Sequence, residues 1–181
     1  MAEILLSSES NIKSVTSISD NVSGKYILTS LREAQEVGLK SILGDALLQK
    51  LKEMVKQNEV DKEENAVYKN LLDICQYYLA YMTIVELAFK VSYKIGNAGV
   101  VKATDDNMQI ATHTEIISQK EYYQSKADFY CLQVQNYILE HSNALPEVGE
   151  NVSFRIQSNL YSAASCGMFL GGARGKRRNR S

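Results

Sequence analysis

Proline is almost missing from this chain: among 181 residues only Pro146 is one. A proline inside a helix removes a hydrogen-bond donor and clashes with the preceding turn, so a chain nearly free of it can hold long uninterrupted helices. Tryptophan is absent, and histidine occurs only at His113 and His141. Neither histidine stands in a ligand spacing such as HExxH, and there is no CxxC, so nothing points to a zinc site. The cysteines, Cys75, Cys131 and Cys166, are odd in number and irregularly spaced. That argues against a disulfide framework and fits a reducing compartment. The most apolar run, Ile74 to Val85, is bracketed by Asp73 and Glu86 and is too short to cross a bilayer. The N-terminal MAEILLSSES lacks the basic start and apolar core of a signal peptide. These absences predict a soluble chain with no membrane partner.

The sequence is 45% hydrophobic and 23% charged, a globular composition at the length of one domain. Tyrosine, with 11 copies, suits half-buried positions, the ring inside and the hydroxyl at the edge. Charge is unevenly placed. The net charge of −1 includes the five cations Arg174, Lys176, Arg177, Arg178 and Arg180 near the C-terminus, so the other residues carry −6 between them. An acidic body therefore bears a basic tail.

Hydrophobic periodicity predicts four helices and a mainly α fold. Over 26–43, Ile27, Leu31, Ala34, Val37 (or Gly38) and Ile42 mark one face. Gly44 breaks that helix, and Asp45 begins a second with Leu47, Leu48, Leu51, Met54 and Val55 on its stripe, ending near Gln57 and Asn58. Over 64–95, Val67, Leu71, Ile74, Tyr78, Met82, Val85 and Phe89 fall at spacings of three and four. Leu72, Cys75, Leu79 and Ile84 widen that stripe into a central helix. A last long helix over 114–142 carries Ile116, Tyr123, Ala127, Tyr130, Val134 and Tyr137, with Thr114 as its cap. Between the long helices, Gly96 to Gly99 ends one, and a hairpin within 96–113 pairs Val100-Val101 with Gln109-Ile110. Residues 1–25, rich in Ser and Asn, read as an N-terminal arm with short strands at Ile4–Leu6 and Val15–Ile18. Residues 146–181 read as a C-terminal arm, with a strand in 152–161 and then a small, glycine-rich, basic stretch that makes no core. The organisation expected is an arm (1–25), a helical domain (26–145) and a second arm (146–181).

Recognised catalytic patterns fail on inspection. Asp105-Asp106-Asn107 has adjacent acids, without the alternate ligands, central glycine and closing glutamate of a calcium loop, and reads as a turn. Gly171-Gly172-Ala173-Arg174-Gly175-Lys176 resembles a phosphate loop. Leu170 stands where the first glycine belongs, Arg177 replaces the Ser or Thr, and no helix follows. Cys75 and Cys131 lie on apolar stripes and read as core residues. No cofactor is implied, and an enzyme reading has little to stand on.

The order of the elements resembles a known family. Ser30-Leu31-Arg32-Glu33-Ala34-Gln35 leads to Ile42-Leu43-Gly44-Asp45-Ala46-Leu47. Tyr68-Lys69-Asn70-Leu71-Leu72 opens a long helix that ends in Ile95-Gly96-Asn97-Ala98-Gly99-Val100. A tyrosine-bearing helix then closes with Asn136-Tyr137-Ile138-Leu139. Over residues 26–142 this is similar to the head-tail connector (adaptor) proteins of tailed phages, notably the neck ring proteins of crAss-like phages. The resemblance implies a helical bundle with two long antiparallel helices, a small hairpin and extended arms. It implies a structural virion protein that self-associates, commonly as a dodecameric ring, between the portal and the tail or further neck proteins. Such a ring extends the channel through which genomic DNA passes. Its place would be the virion neck, and the host cytoplasm during assembly. On that reading an interface loop at Asn97, Gly99, Val100, Asp105 and Asp106 and the electrostatic arm Arg174, Lys176, Arg177, Arg178 and Arg180 make the contacts between proteins. The rival expectation is a helical nucleic-acid-binding protein acting through the same basic arm.

Overall fold

The structure is a computed structural model, and it describes residues 4–96, 99–102 and 111–148. Those residues are mainly helical. Helix α1 spans Glu9–Val15, α2 Gly24–Glu33, α3 Lys40–Leu43, α4 Asp45–Gln57, α5 Ala66–Ser92 and α6 His113–Glu140. Between α2 and α3 the chain stays helical, but over Ala34–Leu39 it widens into a π-turn. Short 3-10 turns lie at Glu63–Asn65, Ser142–Ala144 and Pro146–Val148.

Local chemistry explains where the elements stop. Gly44 ends α3 at φ 79°, ψ 168°, a backbone conformation open almost only to glycine. Asn58 ends α4 in the left-handed conformation, with Glu59 N–H donating to Met54 O at 2.9 Å, a Schellman-type close. Helix α6 opens on a capping box. Thr112 Oγ1 accepts from Glu115 N, and the Glu115 carboxylate accepts from Thr112 N. The cap is thus Thr112 rather than the expected Thr114, because only Thr112 has a glutamate three residues on.

Helices α5 and α6 form the central pair. Tyr137 Oη donates to Val67 O at 3.1 Å, Tyr77 stacks on Tyr130, and Tyr81 stacks on Tyr123. Contacts that rise along one helix as they fall along the other make the two antiparallel. The core runs through Ile27, Leu31, Leu47, Leu51, Leu71, Leu79, Val134 and Ile138, all essentially sealed from solvent. Cys75 and Cys131 are buried in it as the stripes required; Cys131 is held in a disulfide, contrary to what the odd and irregular cysteines suggested, whereas Cys75 is free and burial pushes its thiol well above its ordinary pKa.

The segment 26–43 departs from a regular α-helix. Ile27, Leu31, Ala34 and Ile42 point inward as expected, but Val37 is 74% exposed. A π-turn takes in an extra residue, so the register slips, and Gln35 and Leu39 enter the core instead. Gly38 faces the Tyr78 hydroxyl so closely that a Cβ there would lie 2.4 Å from it.

The N-terminal segment differs most from expectation. Residues 4–25 are packed on the body rather than extended from it: Leu6 and Ile12 belong to the core, and α1 packs on α5. Ile4–Leu6 and Val15–Ile18 are not strands. The backbone of the first is satisfied by a side chain. Leu6 N–H donates to Gln35 Oε1 at 2.8 Å, and Gln35 Nε2 donates to Ile4 O at 3.1 Å. Gln76 Nε2 donates to Leu6 O at 3.1 Å.

After α5, Tyr93–Gly96 (β1) pairs antiparallel with Gly99–Lys102 (β2), with Ile95 opposite Val100 and Lys94 opposite Val101. Val100 and Val101 therefore do pair, but with residues assigned from sequence to the end of the preceding helix. The expected partners Gln109 and Ile110 lie outside the described residues. The Gly96–Gly99 pair leaves two residues between the strands, the commonest hairpin spacing.

Candidate assembly surface

The α5–α6 pair carries aromatic side chains on its outer side as well as its inner one. On α5, Tyr77 and Tyr81 lie one turn apart. On α6, the pairs Tyr122–Tyr123 and Phe129–Tyr130 lie two turns apart. Tyr130 is the hub: its ring stacks on Tyr77 at 5.1 Å and on Tyr81 at 5.6 Å, and meets Phe129 edge-on at 5.3 Å. Tyr81 continues the ladder to Tyr123 at 6.4 Å, and Tyr123 meets Tyr122 edge-on at 5.3 Å. Tyr123 Oη and Ser17 Oγ lie 3.3 Å apart, tying the ladder to the segment after α1.

The ladder is anchored inside and open outside. Tyr123 is buried, while Tyr77 is 44% exposed and Tyr122 and Phe129 are each 55% exposed. Lys126 Nζ lies 4.6 Å from the Tyr122 ring centre and 5.3 Å from that of Tyr81. Its contact with the Tyr122 hydroxyl raises its pKa, so this cation stays charged over the rings. The Tyr130 hydroxyl is pushed up, mainly by burial. Below the ladder Asp128 is 9% exposed and accepts from Gln124 Nε2 at 2.9 Å. Burial raises its pKa against that hydrogen bond.

Beside the ladder, a groove follows α5 toward its N-terminus. Asn11 and Val15 of α1, with Asp73, Gln76 and Tyr77, line one stretch. Leu6, Val55, Val60, Asp61 and Leu72 continue it past Asp73 and Gln76. Asp61 pairs with Lys69 at 2.7 Å. Asp73 has no ion pair among the described residues, though its charge helps raise the pKa of Lys69.

Of the residues singled out from sequence, Gly99 and Val100 sit in β2. Asn97, Asp105, Asp106 and the basic residues Arg174, Lys176, Arg177, Arg178 and Arg180 lie outside the described residues. The aromatic ladder itself was only half legible. Its tyrosines were visible as a class, but division into core and surface needs the rotation of each helix about its axis. Phe129 escaped because it sits off the α6 stripe, beside Tyr130. A signal existed in that off-stripe pairing of large rings.

Among the described residues no group of His, Cys, Asp and Glu is placed to hold a metal ion, and no helix is long and apolar enough to cross a membrane. Residues 39–156 match the model of a family of unknown function, DUF6712. No curated protein and no solved structure matches the chain.

Proposed function

We propose that this chain, which belongs to the DUF6712 family of unknown function, is a structural, non-enzymatic ring protein of the tailed-phage neck. It would assemble with copies of itself between portal and tail and extend the DNA channel. The observation that carries this reading is the aromatic ladder on the open side of α5 and α6. Large rings left half in water cost roughly 25 cal/mol for each Å² of apolar surface that a partner would cover. Aromatic residues in such positions are the usual anchors of protein interfaces. The ladder is also stiff, since every ring in it stacks on or abuts another, so little side-chain freedom is lost on docking. The resemblance of residues 26–142 to head-tail connectors supplies the kind of assembly.

On this reading the helical bundle is the repeating unit of a ring, commonly of twelve copies. The β1–β2 hairpin and the loop bearing Asn97, Gly99, Val100, Asp105 and Asp106 reach a neighbouring protein. The chain beyond the packed Pro146–Val148 turn makes an electrostatic contact through Arg174, Lys176, Arg177, Arg178 and Arg180 when the ring docks. Heterologous contacts of this kind close when the rotation between copies divides a full turn. The acidic remainder of the chain suits a channel wall that does not hold passing DNA.

The test is co-assembly of the purified chain with the portal complex of the same phage, imaged by electron microscopy, with and without residues 171–181. A stacked ring is the expected product. Absence of association at every salt concentration, together with salt-sensitive binding of DNA or RNA that disappears on truncation, would replace this reading with the nucleic-acid one.

A further inference from the structure

We propose that in the free subunit the groove along α5 is occupied by the basic segment 171–181 of the same chain, with an arginine seated between Asp73 and the open face of Tyr77. Three observations converge on this, and none depends on ring assembly.

The first is the seat itself. Asp73 and Tyr77 are four residues apart on α5, so their side chains rise side by side from one face. Tyr77 gives one ring face to Tyr130 and borders the groove, and Asp73 has no ion pair among the described residues. A guanidinium can fork a carboxylate and stack on a ring at once, which an ammonium does less well. Lys126 over Tyr81 and Tyr122 shows that rings of this ladder already hold a cation. The carboxylate of Asp61 and the amide of Gln76, farther along the same groove, offer further acceptors to a cationic segment. Lys69 is the opposing charge, and it is already committed to Asp61.

The second is charge. Residues 171–181 hold five cations and no acid, and the rest of the chain is net acidic. Four of the five are arginine, and the glycines among them let the backbone lie close to a surface. The third is reach. The described chain ends at the Pro146–Val148 turn, which packs on α4 and is fastened to α5 where Tyr68 Oη donates to Glu147 Oε2 at 2.8 Å. Tyr68 is one residue before Lys69 and one turn before Leu72 and Asp73, so the chain departs from the groove's own end of α5. Helix α5 is about 40 Å long, and a connection of 26 residues can extend roughly 85 Å, ample for the return.

Zero-length carbodiimide coupling of the full-length chain tests this, using an equal mixture of isotopically light and heavy protein. Lys176 supplies an amine within the segment, and Asp61 and Asp73 supply carboxylates. The expected result is an amide between Lys176 and Asp73 or Asp61, found in light–light and heavy–heavy pairs with light–heavy pairs essentially absent. Its yield should fall as salt rises from about 50 to about 500 mM. It should fall about threefold in Tyr77→Ala, which leaves both carboxylates in place but removes the ring. Replacing Arg174, Arg177, Arg178 and Arg180 with Gln, which alters no residue of the described body, should reduce it further. Light–heavy pairs as abundant as the light–light and heavy–heavy pairs together would assign the groove to a second copy and overturn the proposal. So would coupling of Lys176 only to other carboxylates, no coupling at low salt, or a yield indifferent to Tyr77→Ala.

Discussion

Gly38 shows how a single missing atom sets the geometry of a core. It lies in the π-turn, directly over the hydroxyl of buried Tyr78. A Cβ at Gly38 would come within 2.4 Å of that oxygen, and the Tyr78 ring is packed in the core. Gly38→Ala should therefore destabilise the fold by about 1–3 kcal/mol, the usual cost of overfilling a packed site. The same substitution in a Tyr78→Phe background should cost much less, because the clashing atom is gone. A double-mutant cycle by chemical denaturation checks this: additive effects would mean that the two residues do not press on one another.

Asp128 is the residue-scale counterpart in charge. Burial raises its pKa, so the folded state holds its proton more tightly than the unfolded chain does. Stability from this group is then greatest at acid pH and declines as pH rises through the interval between the unfolded and folded pKa values. Asp128→Asn keeps an acceptor for Gln124 and removes the buried charge. It should raise the melting temperature at pH 7, and the difference from wild type should shrink toward pH 4. A lower melting temperature at neutral pH would mean that the carboxylate is stabilising where it stands.

At the scale of elements, Gln35 joins two parts that sequence reading kept separate. Its amide satisfies Leu6 N–H and Ile4 O, and its neighbour Glu36 pairs with Lys52 on α4 at 2.6 Å, which lowers the Glu36 pKa. Removing the amide leaves the buried Leu6 N–H without a partner, a loss on the order of 1–3 kcal/mol. Gln35→Leu should therefore speed amide exchange across residues 4–16 before it unfolds the long helices. Equal acceleration in α5 would show that the N-terminal segment opens only with the whole molecule.

This same element marks the limit of what sequence could give. The long stripes of α5 and α6 announced those helices to within a few residues, since periodicity over seven or more turns leaves few alternatives. Helix α1 has seven residues, and of them only Ile12 is buried, too little for a period to show. Ser8 caps it and Glu9 pairs with Lys13, but its place in the fold comes from Ile12 and Leu6 filling space in the core, information carried by the partner. The slip at Val37 has the same origin. An α-period and a π-turn differ by one residue, and the close packing of Gly38 on Tyr78 goes with the π-turn. The surface ladder was legible as an excess of tyrosine, but not as a surface. That depended on which side of each stripe the long helices turn toward each other.

At the scale of the whole molecule, the question is which apolar surface serves the fold and which serves a partner. Tyr123 is buried and tied toward Ser17, so it belongs to the fold. Tyr122 and Phe129 are mostly exposed, Tyr122 at the ladder's end and Phe129 edge-on to Tyr130, so the fold needs them little. Replacing both with Ser should leave the monomer's stability within about 0.5–1 kcal/mol of wild type. On the connector reading, the same change removes the exposed rings of a docking stripe and should abolish ring assembly on the portal. Sedimentation velocity and electron microscopy of the co-assembly, beside a denaturation curve, separate the two effects. Intact stability with lost assembly assigns the ladder to the interface between proteins. Intact stability with unchanged rings would leave the ladder without that role and shift the contacts between copies to the β1–β2 hairpin and the termini.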